Sequence, residues 1–411
     1  MIPAKRQAFN RAFSDGRYRA FVAELERRCG VPIHFPVSET PCFFPQTLIA
    51  ELAGAALAMV SDLLADPAYR RAAVDIVPER FRVARSETLP TFVAVDFGLV
   101  RVGDRIEGRL VELQAFPSLY GFQLLLAETS RDMWGLDGVS PFPAGIDRAE
   151  YLRTMRETIV GGHDPAEVVL MEIDPQHQKT LPDFAATEQL WGVRAVNIRE
   201  VVREGRRLFS KRDGKLVPIR RVYNRVIPDD LEHQTIELPF DYRDDLDVEW
   251  TGGPDWFYRV SKFSIPFLRH PWVPRTFFLH HVMGPGSRVL GPGSGGTGPA
   301  EGLPADRENW LLKPLFSYAG GGIIFAPTDA DIAAIPIDQR HLYVLQERVA
   351  FTPVIETPHG PTQAELRLML VREGDGHRLM LPLVRLGRGR MMGVDHNKGL
   401  AWVGASAALM V

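Results

Sequence analysis

Two strand-like runs, TFVAVDFGLVRV (91–102) and RLVELQAF (109–116), flank VGDRIEG, a turn by composition. Folded as a hairpin, the two strands pair, and Asp96 and Glu112 can approach each other. Glu112 and Gln114 are two residues apart, so they face the same side of their strand. Three oxygen-bearing side chains on one face are what Mg²⁺ on nucleotide phosphates asks for, with waters and phosphates completing the octahedron. Buried without a cation, such a cluster is costly. Ordinary solvated carboxylates on a half-exposed sheet give the same alternation, and spacing alone favours that plainer reading.

The rest of the chain supplies a frame for this hairpin. Its 411 residues suffice for two or three domains or one elaborate catalytic unit, and 45% hydrophobic with 24% charged residues is ordinary globular composition. A net charge of -3 gives no global basic field to draw nucleic acid or an anionic membrane. Cys29 and Cys42 form no CxxC, which argues against a zinc knuckle or a thioredoxin-like site; two reduced thiols are the plainer reading, and one disulfide is the alternative. The N-terminus MIPAKRQAFNRAFSDGRYR has no apolar core and is no secretory signal. The stretch LIAELAGAALAMVSDLLAD (48–66) carries Glu51, Ser61 and Asp62, and reads as too short and too interrupted to span a bilayer. A soluble cytoplasmic protein is expected, with no nucleic-acid and no membrane partner.

Composition divides the chain into three regions. Residues 1–90 are helical in pattern, with a break at Asp66–Pro67. Residues 91–245 alternate strand and helix: the hairpin, a helix over 147–160, a buried strand EVVLMEID (167–174), a helix FAATEQLWGV (184–193) ended by Gly192, and a strand LVPIRRVYNRVI (216–227). Residues 246–411 contain a Gly/Pro/Ser-rich loop over 284–302, then short strands in WLLKPLF, GGIIFAP, YVLQERVAF, AELRLMLV and RLMLPLVRLG, with a helix around DADIAAIP. The sum is an α+β or α/β chain.

Several motifs here carry no chemistry. GPGSGG (291–296) formally fits G-x-G-x-x-G but has no strand before it and no helix after it. No P-loop and no H-E-x-x-H occurs, and His280 and His281 are adjacent, so they point to different faces. Others invite an anion. Lys313 ends the strand WLLK, where it can reach a phosphate as a flexible point charge. Gly320, Gly321 and Gly322 let backbone N–H groups approach anionic oxygens; a bare glycine hairpin beside an exposed lysine is the alternative. Gln346 and Glu347 interrupt an apolar strand and could meet an adenine edge and ribose; an amphipathic edge strand looks the same. Glu365 and Arg367 share one strand face, suited to a cation and a phosphate, or to an ion pair of little worth.

The order of these parts resembles the glutathionylspermidine synthetase-like and circularly permuted ATP-grasp proteins. RLVELQAFPSL (109–119) looks like that family's Glu-x-Asn metal strand, here about 200 residues before the lysine. DFGLV places Asp96 where the family has its first metal-binding aspartate. VVLMEIDPQHQKTLPDFAATEQLWGVRAVNIREV (168–201) and RRVYNRVIPDDLE (220–232) resemble its strand–loop–helix and Tyr-Arg-Arg segments, and SKFSIPFL (261–268) its first ATP-binding lysine, Lys262. The resemblance covers roughly residues 90–370. It implies an ATP-grasp fold with permuted order behind a helical N-terminal region, and an ATP- and Mg²⁺-dependent ligase. Such an enzyme joins a small-molecule carboxylate to an amine through an acyl phosphate and releases ADP. The resemblance puts Asp96, Glu112, Gln114 and Glu365 on Mg²⁺, and Lys262, Lys313, the three glycines, Gln346 and Glu347 on ATP. Arg225 and Arg367 then serve the acyl phosphate or the acid, and Asn397 or Arg390 close the phosphate site. The loop 284–302 becomes a lid or a plain linker. Gln114 stands where the family has Asn, Asn224 where a second arginine is usual, and no arginine stands just before Asp96. These departures favour the alternative, a catalytically degenerate nucleotide- or peptide-binding protein.

Overall fold

The computed structural model describes residues 2–283, 288–289, 298–299, 303–317 and 321–411. The G-x-G-x-x-G match, Gly320 and most of the loop 284–302 lie outside the described residues.

The hairpin forms with a shorter turn than its text suggests, since residues 105–108 of VGDRIEG extend the second strand and only Gly103 and Asp104 turn. Phe92–Val102 pairs antiparallel with Arg105–Gln114 across a tight turn in which Gly103 takes φ 58, and Asp96 lies opposite Glu112. A bulge after Asp96 shifts the register beside that pair. The hairpin is one edge of a six-stranded sheet. Gln363–Glu373 pairs antiparallel with the Asp96 strand, then come Gly376–Gly387, Gly404–Met410 and the short parallel strand Cys42–Phe44. All three compositional regions thus contribute strands to one sheet. One face of this sheet is covered by the helix Gln46–Ala65, which buries Leu48, Ile49, Leu52, Ala56, Met59, Val60 and Leu63 at three- and four-residue spacing. The other carries Tyr120–Trp134, whose N-terminus begins at Leu119 in the left-handed region (φ 63).

Gln46–Ala65 corrects an expectation. Its 20 residues, with a mean hydropathy of 1.8 over the best window, are long and apolar enough to cross a membrane by length and composition. Half of that window is buried against the rest of the chain, as a core helix of a packed domain would be.

A second sheet is parallel. Its order is Glu249–Thr251, Arg221–Asn224, Val168–Glu172 and Arg194–Asn197, with Arg148–Val160 and Leu181–Trp191 among the helices that pack on it. Asp147 caps the first of these helices, and Gly192 ends the second at φ 76. The text LVPIRRVYNRVI is not one strand. Lys215–Ile219 belongs to a separate antiparallel meander, and only Arg221–Asn224 enters the parallel sheet. A third sheet is antiparallel, in the order Thr276–Phe278, Tyr343–Glu347, Trp310–Pro314 and Ile324–Phe325. Cys29 and Cys42 are buried free thiols.

Candidate functional site

The three sheets meet around a cleft of about 1610 Å³. The hairpin contributes Glu112 and Gln114, and the neighbouring strand contributes Glu365 and Arg367. Lys313, Gln346 and Glu347 come from the third sheet, and Gly321 and Gly322 from the loop behind it. Lys262 enters from the 3-10 turn Lys262–Phe267, which Ser261 caps. Arg225 stands just past the carboxyl end of its parallel strand, the end at which open α/β sheets bind ligands. Residues scattered over 250 positions of sequence are thereby gathered at one wall or another of the same space. Asp96 is the exception: at 1% exposure it lies beneath the floor.

What surrounds these groups differs from the metal cluster expected of them. Arg367 holds Asp96 in a fork, Nε to Oδ1 and Nη2 to Oδ2, both at 2.7 Å. Arg385 adds a third bond to Oδ2 at 2.7 Å and reaches Glu365 with the same nitrogen. Burial alone would push the Asp96 carboxyl up; Arg367 and Arg385 outweigh it and hold it below the ordinary carboxylate range. Glu365 goes the other way, raised by burial that Arg385 only partly offsets. Gln114, with its amide turned so that oxygen faces the donors, accepts from Arg367 at 3.0 and 2.8 Å. Glu112 pairs with Lys262 at 3.2 Å. Every member of the expected Mg²⁺ set is therefore already bound to a cation of the chain. Among the described residues no group of three or more His, Cys, Asp or Glu side chains is placed to hold a metal ion. The donors present do not fit Mg²⁺, which needs open oxygens in near-octahedral array.

The cationic residues fit an anion better. Lys313 is 6% exposed and donates to the amide oxygen of Gln346; burial lowers its pKa to about 8. Lys262 also donates to the Ser317 carbonyl at 2.5 Å, tying the turn to the loop after Lys313. Two expected roles are taken up otherwise. Arg225 is anchored to Asp183 at 2.7 Å, a carboxylate that also accepts from the backbone N–H groups of Leu119, Gly121 and Phe122 at the start of Tyr120–Trp134. With its guanidinium against the rings of Phe116 and Phe184, Arg225 braces a helix terminus. Glu347 pairs at 3.2 Å with Arg275, the residue just before the adjoining strand Thr276–Phe278.

Sequence reasoning missed Arg385 and Arg388. Arg385 lies directly opposite Glu365 in the sheet register, and its one sequence signal is a lone arginine inside the apolar run LMLPLVRLG. Arg388 donates to the Thr362 hydroxyl at 2.9 Å and the Ala401 carbonyl at 2.5 Å, and Arg390 lies over the Phe325 ring at 4.7 Å. Asn397 is buried and accepts from the backbone N–H groups of Arg388 and Gly389 while donating to the carbonyls of Met391 and Gly393. It shapes the loop that carries both arginines to the cleft. Glu172, at the end of the central parallel strand, also lines the cleft, its carboxyl pushed up to about 8 by burial that Arg225 partly offsets.

No family model matches this sequence, and no curated protein matches it. Among solved structures, a glutathione synthetase-like effector from Globodera pallida, in its apo form, aligns with a TM-score of 0.59 over 96% of each chain at 12% identity. At that identity the likeness speaks for the fold alone: the chain is α+β, with a glutathione synthetase-like fold.

Proposed function

We propose that this protein binds a nucleoside polyphosphate such as ATP in the cleft through a permuted ATP-grasp arrangement, and that it binds without ligating. In this reading residues 246–411 supply the clamping half, with Lys313 and Lys262 facing the phosphates. The observation that carries it is Lys313. A lysine buried to this degree with a carboxamide as its hydrogen-bond partner is costly to keep charged, and an anionic oxygen in the cleft removes that cost. The cation-paired carboxylates favour binding over catalysis.

The second reading is an ADP-forming carboxylate–amine ligase, and the size of the cleft favours it. About 1610 Å³ exceeds the usual range for one small ligand and leaves room for an acid and an amine beside a nucleotide. Thermal unfolding with ATP, ADP and NAD tests binding: ATP at 100 times its Kd adds about 2.7 kcal/mol of stability. Adenine nucleotides without effect on unfolding overturn the proposal. ADP released only when carboxylates and amines are both supplied replaces it with the ligase.

A further inference from the structure

We infer that the phosphate site of this cleft works without a divalent cation, the guanidinium groups of Arg367 and Arg385 standing where the metal of an ATP-grasp site is expected. The inference rests on the cleft being a phosphate site, and adds how that site is charged.

Both Asp96 oxygens, one Glu365 oxygen, one Glu112 oxygen and the Gln114 amide oxygen already accept from Arg367, Arg385 or Lys262. A metal ion entering here must displace a forked arginine from a carboxylate that is 1% exposed, leaving the guanidinium without its partner. Lys262, Lys313, Arg367 and Arg385 are four cations around three carboxylates, Asp96, Glu112 and Glu365. A divalent ion would add to that excess, whereas an anion relieves it. Among the described residues, the buried Nε of Arg385 has no hydrogen-bond partner, Arg390 lines the cleft with no carboxylate partner, and Arg388 lines it with hydrogen bonds to Thr362 and Ala401 and only a longer-range attraction to Glu39. Forked guanidinium groups match phosphate oxygens in shape as well as charge.

The test titrates the full chain with inorganic tripolyphosphate and with ATP by calorimetry, once in EDTA and once in excess Mg²⁺. Tripolyphosphate is expected to bind in EDTA at least as tightly as with Mg²⁺. Binding that is about tenfold or more tighter with Mg²⁺ overturns the inference and leaves the nucleotide reading standing. If tripolyphosphate binds in EDTA and ATP does not, the nucleotide reading falls and this one stands. If neither binds under either condition, both fall. Arg385→Met keeps the Arg367–Asp96 fork and is expected to fold, with its unfolding midpoint measured alongside. Its tripolyphosphate affinity in EDTA should drop by about tenfold. An unchanged affinity removes Arg385 from the site and overturns the assignment.

Discussion

Asp96 shows what single residues decide here. The hairpin text sets it opposite Glu112, and that pairing is legible because turn and alternation are both local. Its actual partners are not local: Arg367 and Arg385 lie 271 and 289 residues away, and no periodicity in one strand reveals what a distant strand will lay over it. Replacing Asp96 by Asn leaves the half-buried Arg367 and Arg385 short of their counter-charge, which costs about 3 kcal/mol, the low end for breaking a buried pair. Urea unfolding of Asp96→Asn measures this, and a loss below about 1 kcal/mol would show that the fork is dispensable. Glu172 makes a separate prediction in pH. Its folded pKa, about 8, lies above its unfolded value of about 4.3, so the folded state holds a proton that the unfolded state has released. Its contribution to stability is fully present below pH of about 4.3 and is lost as pH rises towards about 8. Over that window the wild-type protein should lose stability relative to Glu172→Gln. Urea midpoints of the two proteins that run parallel with pH would contradict the burial argument.

Among the elements, strands and helices with strong local patterns were readable and those defined by their neighbours were not. The run of short strands after residue 310, the helix closed by Gly192 and the break at Asp66–Pro67 all sit where composition puts them. The strand Gly404–Met410 left little trace, because GASAALM is small and apolar without alternation: it is buried along its length inside the sheet, between Gly376–Gly387 and the short edge strand Cys42–Phe44. The same limit applies to Gln46–Ala65. Hydropathy cannot distinguish a membrane-spanning helix from one laid on a sheet, and the distinction rests on packing. Leu52 supplies the test. It is fully buried, and it closes so tightly on Gly108 of the hairpin that a Cβ there would lie 2.6 Å from Leu52 Cδ2. Leu52→Ala opens that contact and should destabilise the protein by about 2–5 kcal/mol in chemical unfolding. A cost under about 1 kcal/mol would mean that this face of the helix is not held against the sheet.

For the molecule as a whole, the charge is weakly negative while the cleft is locally cationic: net -3 overall, against Lys313, Arg388 and Arg390, which face one space with no salt bridge among the described residues, Lys313 feeling Glu112 and Glu365 and Arg388 feeling Glu39 only at longer range. The bulk count excluded a global basic field and was silent about this patch, since a sum over 411 residues hides where charges gather. Local cations without counter-ions raise the binding of polyanions at short range, and salt weakens them over a Debye length of about 10 Å at 0.1 M. Arg390 isolates that contribution. It is exposed, touches only the Phe325 ring among the contacts described, and lies on a loop shaped by Asn397, so its loss should leave the fold intact. Arg390→Gln is expected to weaken tripolyphosphate binding by about fivefold, near 1 kcal/mol, and to flatten its dependence on salt. An affinity that falls while the salt dependence stays the same would place the effect in loop geometry. A change in neither would remove this arginine from the anion's surroundings and confine the site to the sheet floor around Lys313 and Arg385.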